Sequence, residues 1–189
     1  MQHDLKEKKV AILVADGFEQ SEFEKPRQAL DEAGAKTVVV SPVKNQVTAW
    51  DGETNNFGKK FAVDLSLDQA NPDDFDALLL PGGVKNPDTL RALPKAVSFV
   101  RAFFSAQKPV GAICHGPWLL VEADVVRGRR VTSYQSIKTD LKNAGAEWTD
   151  EAVVVDQGLV TSRKPDDIPA FNRKLVEEIA EGVHAGQHA

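Results

Sequence analysis

Short apolar runs alternate with amphipathic stretches along most of this chain. Val10 to Ala15 reads Val-Ala-Ile-Leu-Val-Ala, with two lysines before it and Asp16-Gly17 after it. A continuous apolar run of that length between turn signals predicts a strand covered on both faces. Glu19 to Ala33 sets Phe23, Pro26, Leu30 and Ala33 at helical spacing and stops at Gly34, a residue suited to the position after a helix end. Thr37 to Ser41 predicts a second buried strand. Between Pro42 and Asp64 the pattern weakens. Two β-prone pieces, Val47 to Trp50 and Phe61 to Val63, flank a polar Asp-Gly-Glu-Thr-Asn-Asn stretch and predict a hairpin or edge excursion.

The alternation then resumes. Asp76 to Leu80 predicts a core strand that stops at Pro81-Gly82-Gly83, and Asn86-Pro87-Asp88 has the cap, first-position and first-turn chemistry of a helix start. Pro94 opens a longer helix through Phe104. Pro109 to Cys114 is a further strand, and His115-Gly116-Pro117 begins the next helix. Strands are expected at Val131 to Tyr134, Glu151 to Asp156 and Leu159 to Ser162, with helices over Ile137 to Ala144 and Ile168 to Val183. Strands and helices alternating in this way predict one α/β domain over residues 8–184, a mostly parallel sheet with helices on both faces. Residues 1–7 and 185–189 are expected to be loose ends.

Composition narrows the classes of function. The chain of 189 residues is 42% hydrophobic and 27% charged, as in soluble globular domains. A formal charge of -5 argues against a dedicated nucleic-acid site, which would normally show a basic patch. No apolar run reaches the roughly 18 residues of a membrane span, and Met1 to Lys9 lacks the apolar stretch of a signal peptide. One cysteine excludes an internal disulfide and, with four scattered histidines, offers a poor metal site. A reducing cytoplasm is the expected compartment.

Ligands of open α/β sheets bind outside the carboxyl ends of the strands. The loops there are Asp16-Gly17-Phe18-Glu19, Pro81-Gly82-Gly83 and Cys114-His115-Gly116. Cys114 lies where a strand turns at once into a helix, the placement of a nucleophile on a strained elbow. The helix start is expected to lower its thiol pKa. A lone cysteine can also be a buried packing residue, but the adjoining His and small residues weigh against that here. His115 is placed to act as its base, or else simply caps a helix. Glu19 either supports the thiol, best as a neutral carboxyl donating a hydrogen bond, or only places an acid in a first helical turn. Gly82-Gly83 is a tight turn whose Gly83 N–H, with that of His115, could hold an oxyanion.

These residues resemble a known family. Asp16-Gly17-Phe18-Glu19 with Glu22, Leu79-Leu80-Pro81-Gly82-Gly83 and Ala112-Ile113-Cys114-His115-Gly116-Pro117 are similar to the PfpI-type intracellular protease and deglycase family, within the class I glutamine amidotransferase-like superfamily. The similarity continues through Thr132-Ser133-Tyr134, Asn143-Ala144-Gly145-Ala146-Glu147-Trp148 and Thr161-Ser162-Arg163, nearly the whole chain after Lys8. It implies a flavodoxin-like sandwich, with Cys114 as nucleophile, His115 as base and Glu19 hydrogen-bonded to the sulfur. It also implies an acidic residue, Asp88 by position, that orients His115 from a second subunit, and hence a homodimer or larger assembly. Relatives carry Glu there, and Asp88 is also a natural first-turn residue. Glutaminases of the superfamily carry a late His-x-Glu pair, which is absent from the sequence around Arg163 to Asp166.

The resemblance implies a cofactor-free, stress-protective hydrolase acting on small carbonyl or glycated substrates. An intracellular cysteine peptidase and a non-enzymatic redox sensor or chaperone use the same activated thiol.

Overall fold

A computed structural model describes residues 4–187. In chain order the first half forms β1 (Lys9–Leu13), α1 (Gln20–Glu32), β2 (Lys36–Ser41), β3 (Gln46–Asp51), β4 (Asn56–Ala62), β5 (Leu65–Ser66) and β6 (Ala77–Leu80). Next come α2 (Lys85–Arg91), α3 (Pro94–Ser105), β7 (Val110–Ile113) and α4 (Pro117–Glu122). The remainder forms β8 (Arg130–Val131), α5 (Lys138–Asn143), β9 (Glu147–Trp148), β10 (Val153–Asp156), β11 (Leu159–Ser162) and α6 (Ile168–Glu181).

Seven strands make the central sheet in the order β10-β11-β7-β6-β1-β2-β5. Every neighbouring pair is parallel except β10 with β11. Because successive side chains of a strand point to opposite faces, the apolar run of β1 feeds two cores. Ala11 and Leu13 join Phe99 and Phe103 of α3 and Leu119 of α4, whereas Val10 and Ile12 join Phe23 and Leu30 of α1 and Phe171 and Leu175 of α6. Fully burying each such large side chain is worth about 1.5–3 kcal/mol. The result is a mostly parallel sheet covered on both faces, as the alternating pattern predicts, and it is the flavodoxin-like sandwich that the resemblance implies.

The registers bring four strand ends level. Ser162 pairs with Ile113, Leu80 with Ala112, and Leu79 with Ile12. The loops after β1, β6 and β7 therefore meet at one edge of the sheet. The excursion after β2 is an antiparallel hairpin of β3 and β4. It folds over the first of these loops through Gly17 N–H to Thr48 O (2.8 Å) and Trp50 N–H to Phe18 O (2.7 Å).

Four local expectations are corrected. The strand predicted at Val131 to Tyr134 ends at Val131, because the Thr132 N–H turns to the Thr161 hydroxyl and the Tyr134 N–H to Cys114 O. Helix α2 starts before Asn86, whose side chain enters the core instead of capping. The termini are pinned where described. Leu5 is fully buried with its N–H on Ala33 O, and Gln187 is fully buried with its amide on Lys108 O. Just before it, the His184 N–H donates to Gln107 O (3.0 Å). Residues 1–3, 188 and 189 lie outside the described residues. No helix among the described residues is long and apolar enough to cross a membrane.

Candidate active site

Cys114 follows β7 directly and has φ of +63°, a left-handed conformation that costs a non-glycine residue about 1–2 kcal/mol. Bonds on both sides hold it there. Its N–H donates to Ser162 O (3.0 Å), its carbonyl accepts from Tyr134 N–H (2.9 Å), and Gly116 N–H closes the turn on Ile113 O (2.9 Å). The bend brings the Cys114 sulfur to 3.1 Å from Nδ1 of His115. Both residues are 7% exposed.

The carboxyl beside the sulfur belongs to Glu22, which corrects the expectation for Glu19. Glu22 lies on the buried face of α1, four residues before Pro26 and eight before Leu30. It is completely buried, accepts the Gly82 N–H at Oε2 (2.8 Å) and lies against the Cys114 thiol. Glu19 stands before the first turn with extended backbone, which sends its half-buried side chain outward. There it accepts from the Ser21 hydroxyl (3.2 Å) and the Gly52 N–H (3.4 Å). A glutamate on an otherwise apolar helical stripe is the signal in the sequence that identifies Glu22.

The glycine turn after β6 is required by close approach. A Cβ on Gly82 would come within 2.6 Å of Cys114 Cβ and 2.8 Å of Ile113 O. Gly83 has φ of +72°, and a Cβ there would meet Glu19 N at 2.8 Å. The N–H groups of Gly83 and His115 face the sulfur and favour its ionised form.

On its far side, His115 Nε2 lies 3.0 Å from the Ser136 hydroxyl. With the Nε2 proton donated to that oxygen, Nδ1 is the acceptor facing the thiol. The ring stacks on Tyr134 (4.9 Å between centroids, 25°) and meets Trp118 edge-on at 5.2 Å. Ser136, in a single turn of 3-10 helix over Gln135–Ile137, lies some twenty residues downstream and outside the stretches that carry the resemblance; Tyr134 lies within one of them, Thr132-Ser133-Tyr134, but the sequence reading gives it no role. Asp88 is exposed in the first turn of α2 and is not brought to His115 within the chain. A cavity of about 570 Å³ opens beside Tyr134 and Ser136 and reaches Asp150, Arg163 and Lys164. Arg163 is held there by Asp167 (2.8 Å) and Asp150 (2.8 Å).

Burial governs the electrostatics. It pushes the Glu22 carboxyl up to about 8, against the pull of the Gly82 N–H, so Glu22 is protonated at neutral pH. Burial also pushes the Cys114 thiol up, and an ionised Glu22 would push it further; the N–H groups of His115 and Gly83 do not outweigh this. The thiol lowered by a helix start, expected from sequence, is thereby corrected. Helix α4 has only six residues, and Cys114, His115 and Glu22 are buried. Burial lowers His115 below its ordinary 6.5, which keeps the imidazole neutral and basic at pH 7. Such a group can remove the thiol proton as the sulfur attacks.

One grouping among the described residues has metal-ligand spacing, and it lies away from this site. The ligand atoms of Glu178, Glu181 and His184 fall within 4.8 Å of one another, although His184 Nε2 already lies 3.3 Å from a Glu178 carboxyl oxygen.

The family model described as DJ-1/PfpI family matches residues 8–178. The Escherichia coli protein/nucleic acid deglycase 2 is 48% identical over 171 residues, covering 89% of this chain and 96% of the relative. General stress protein 18 of Bacillus subtilis is 48% identical over 168 residues, covering 88% and 95%. The crystal structure of Drosophila melanogaster DJ-1beta superimposes with a TM-score of 0.82 at 30% identity, covering 92% of this chain and 90% of that one.

Proposed function

The chain belongs to the DJ-1/PfpI family, and we propose that it is a cysteine-dependent hydrolase that removes early glycation adducts from amines and thiols or consumes the reactive dicarbonyls that form them. The observation that carries this reading is the meeting of Cys114, neutral His115 and protonated Glu22 under two backbone N–H groups. In the first step the Cys114 sulfur bonds to a carbonyl carbon and its proton passes to His115 Nδ1. The carbonyl π electrons move to oxygen, and the N–H groups of Gly83 and His115 hold the resulting oxyanion. Glu22 stays neutral, so the attacking sulfur meets no carboxylate charge. His115 then returns the proton to the oxyanion, which gives a hemithioacetal; an early adduct enters this step after its carbinol carbon–nitrogen or carbon–sulfur bond breaks and the amine or thiol leaves with a proton. Transfer of the carbinol C–H proton to the neighbouring carbonyl carbon, through an enediol, turns the hemithioacetal into a thioester, and water cleaves its C–S bond to release a 2-hydroxy acid and the Cys114 thiol.

The 7% exposure of Cys114 favours a small carbonyl over a folded or extended peptide. The names of the E. coli and B. subtilis relatives fit a deglycase that serves under stress. We further propose that it works in the cytoplasm as a homodimer or larger assembly, with Asp88 of a second copy near His115.

The test compares the protein with Cys114→Ala on methylglyoxal, on its adducts with N-acetyl-cysteine and N-acetyl-arginine, and on a quenched peptide. Turnover of the first two classes, lost in the variant, is expected. Cleavage of the peptide alone would establish the peptidase. Absence of all turnover, with Cys114 oxidised by mild peroxide, would establish the sensor.

A further inference from the structure

Asn86 is fully buried at the start of α2, although an asparagine there could have faced solvent. Its Oδ1 accepts the Ala15 N–H at 2.7 Å, which ties it to the chain leaving β1. Its Nδ2 donates to two successive carbonyls, Pro81 O at 3.0 Å and Gly82 O at 3.2 Å. Each carbonyl belongs to a peptide unit whose other end points into the active site. The unit with Pro81 O ends in the Gly82 N–H, which donates to Glu22. The unit with Gly82 O ends in the Gly83 N–H, which faces the Cys114 sulfur.

We propose that Asn86 is a positioning residue that strengthens the two N–H donors facing Cys114 and Glu22, by binding the carbonyl of each peptide unit that carries them. A donor bound to a carbonyl polarises its peptide and strengthens the N–H at the opposite end. One neutral amide thus acts on both members of the pair. Whichever of the two carries the negative charge, Asn86 stabilises it through the backbone. Glu19, whose N–H also reaches Gly82 O at 3.4 Å, contributes a longer bond to one unit only. The inference rests on the proposed role of Cys114 but not on any particular substrate.

Cys114 is the chain's only cysteine, so alkylation by iodoacetamide reads it alone. Asn86→Ala removes both donors, and Asn86→Ser keeps one uncharged donor. Alkylation at pH 6, where Glu22 keeps its proton and only the Gly83 N–H acts on the sulfur, is expected to slow roughly 1.3- to 4.5-fold in Asn86→Ala, as cooperative strengthening of 10–30% implies for one charge-assisted hydrogen bond of about 1.5–3 kcal/mol, and less in Asn86→Ser. A residue that merely fastens the loop predicts the opposite sign, since a loosened turn admits the reagent faster. Unchanged or faster alkylation in a variant that still melts cooperatively would overturn the proposal. Should Asn86→Ala fail to fold, Asn86→Ser decides by the same criterion. Turnover plays no part in the readout, so an inactive protein would remove the proposed function and leave this inference standing.

Discussion

His115 Nδ1 lies 3.1 Å from the sulfur of Cys114 although the two residues are adjacent in the chain. Neighbours on a strand point to opposite faces, so the contact exists only because Cys114 takes φ of +63°. The strain at the elbow is thus what allows thiol and base to meet.

His115→Gln should lower turnover by about 10²–10⁴-fold, the usual contribution of a positioned general base. In the unmodified protein, activity should be lost as pH falls through the His115 pKa. Since burial lowers that pKa, the acid limb is expected below 6.5. A pH–rate profile whose acid limb lies at 7 or higher would assign the base to another group.

Glu22→Gln tests the buried proton through stability. The folded pKa of Glu22, about 8, lies above its ordinary 4.5. Its stabilising contribution is therefore complete below pH 4.5 and is lost as pH rises towards 8, where the folded state retains a proton that the unfolded state has released. Glutamine holds no such proton. The stability of Glu22→Gln relative to the unmodified protein should rise across this window, by up to about 1.4 kcal/mol per pH unit. Urea unfolding at pH 5 and pH 8 measures it, and a difference independent of pH would place Glu22 as an ordinary carboxylate.

Ser136→Ala removes the partner of His115 Nε2 without touching the sulfur. A hydrogen bond of about 0.5–1.5 kcal/mol corresponds to a roughly 2- to 12-fold loss in kcat, with little change in melting temperature because Ser136 is exposed. An unchanged kcat would leave Tyr134 and Trp118 as sufficient to hold the ring.

Gly82→Ala should abolish turnover and cost about 1–3 kcal/mol of stability, since the new methyl group overlaps Cys114 Cβ and Ile113 O. Thermal melts and activity assays on the same preparation separate the two effects. A stable and active variant would show that the turn can yield.

Asp88→Ala bears on assembly. The expected result is an oligomeric mass by sedimentation and a lowered kcat/KM with unchanged melting temperature. A fully active monomer would remove Asp88 from the site.

The sequence by itself determined the sheet and its chemical edge. Runs such as Val10 to Ala15 and Leu159 to Ser162 can be buried on both faces only in a covered parallel sheet, and level strand ends then bring the loops after β1, β6 and β7 together. It also placed Cys114 and His115, because a lone thiol between a strand and small turn residues is a local signal. Tertiary structure decided which carboxyl stands beside the sulfur. Glu19 and Glu22 are three residues apart, and only the point where extended backbone becomes helix turns one outward and the other into the core. It likewise decided the state of the thiol, since desolvation depends on everything packed around the group and not on the motif that contains it. Asn86 and Ser136 act across the fold, through a carbonyl and a ring nitrogen, and no spacing along the chain encodes such contacts.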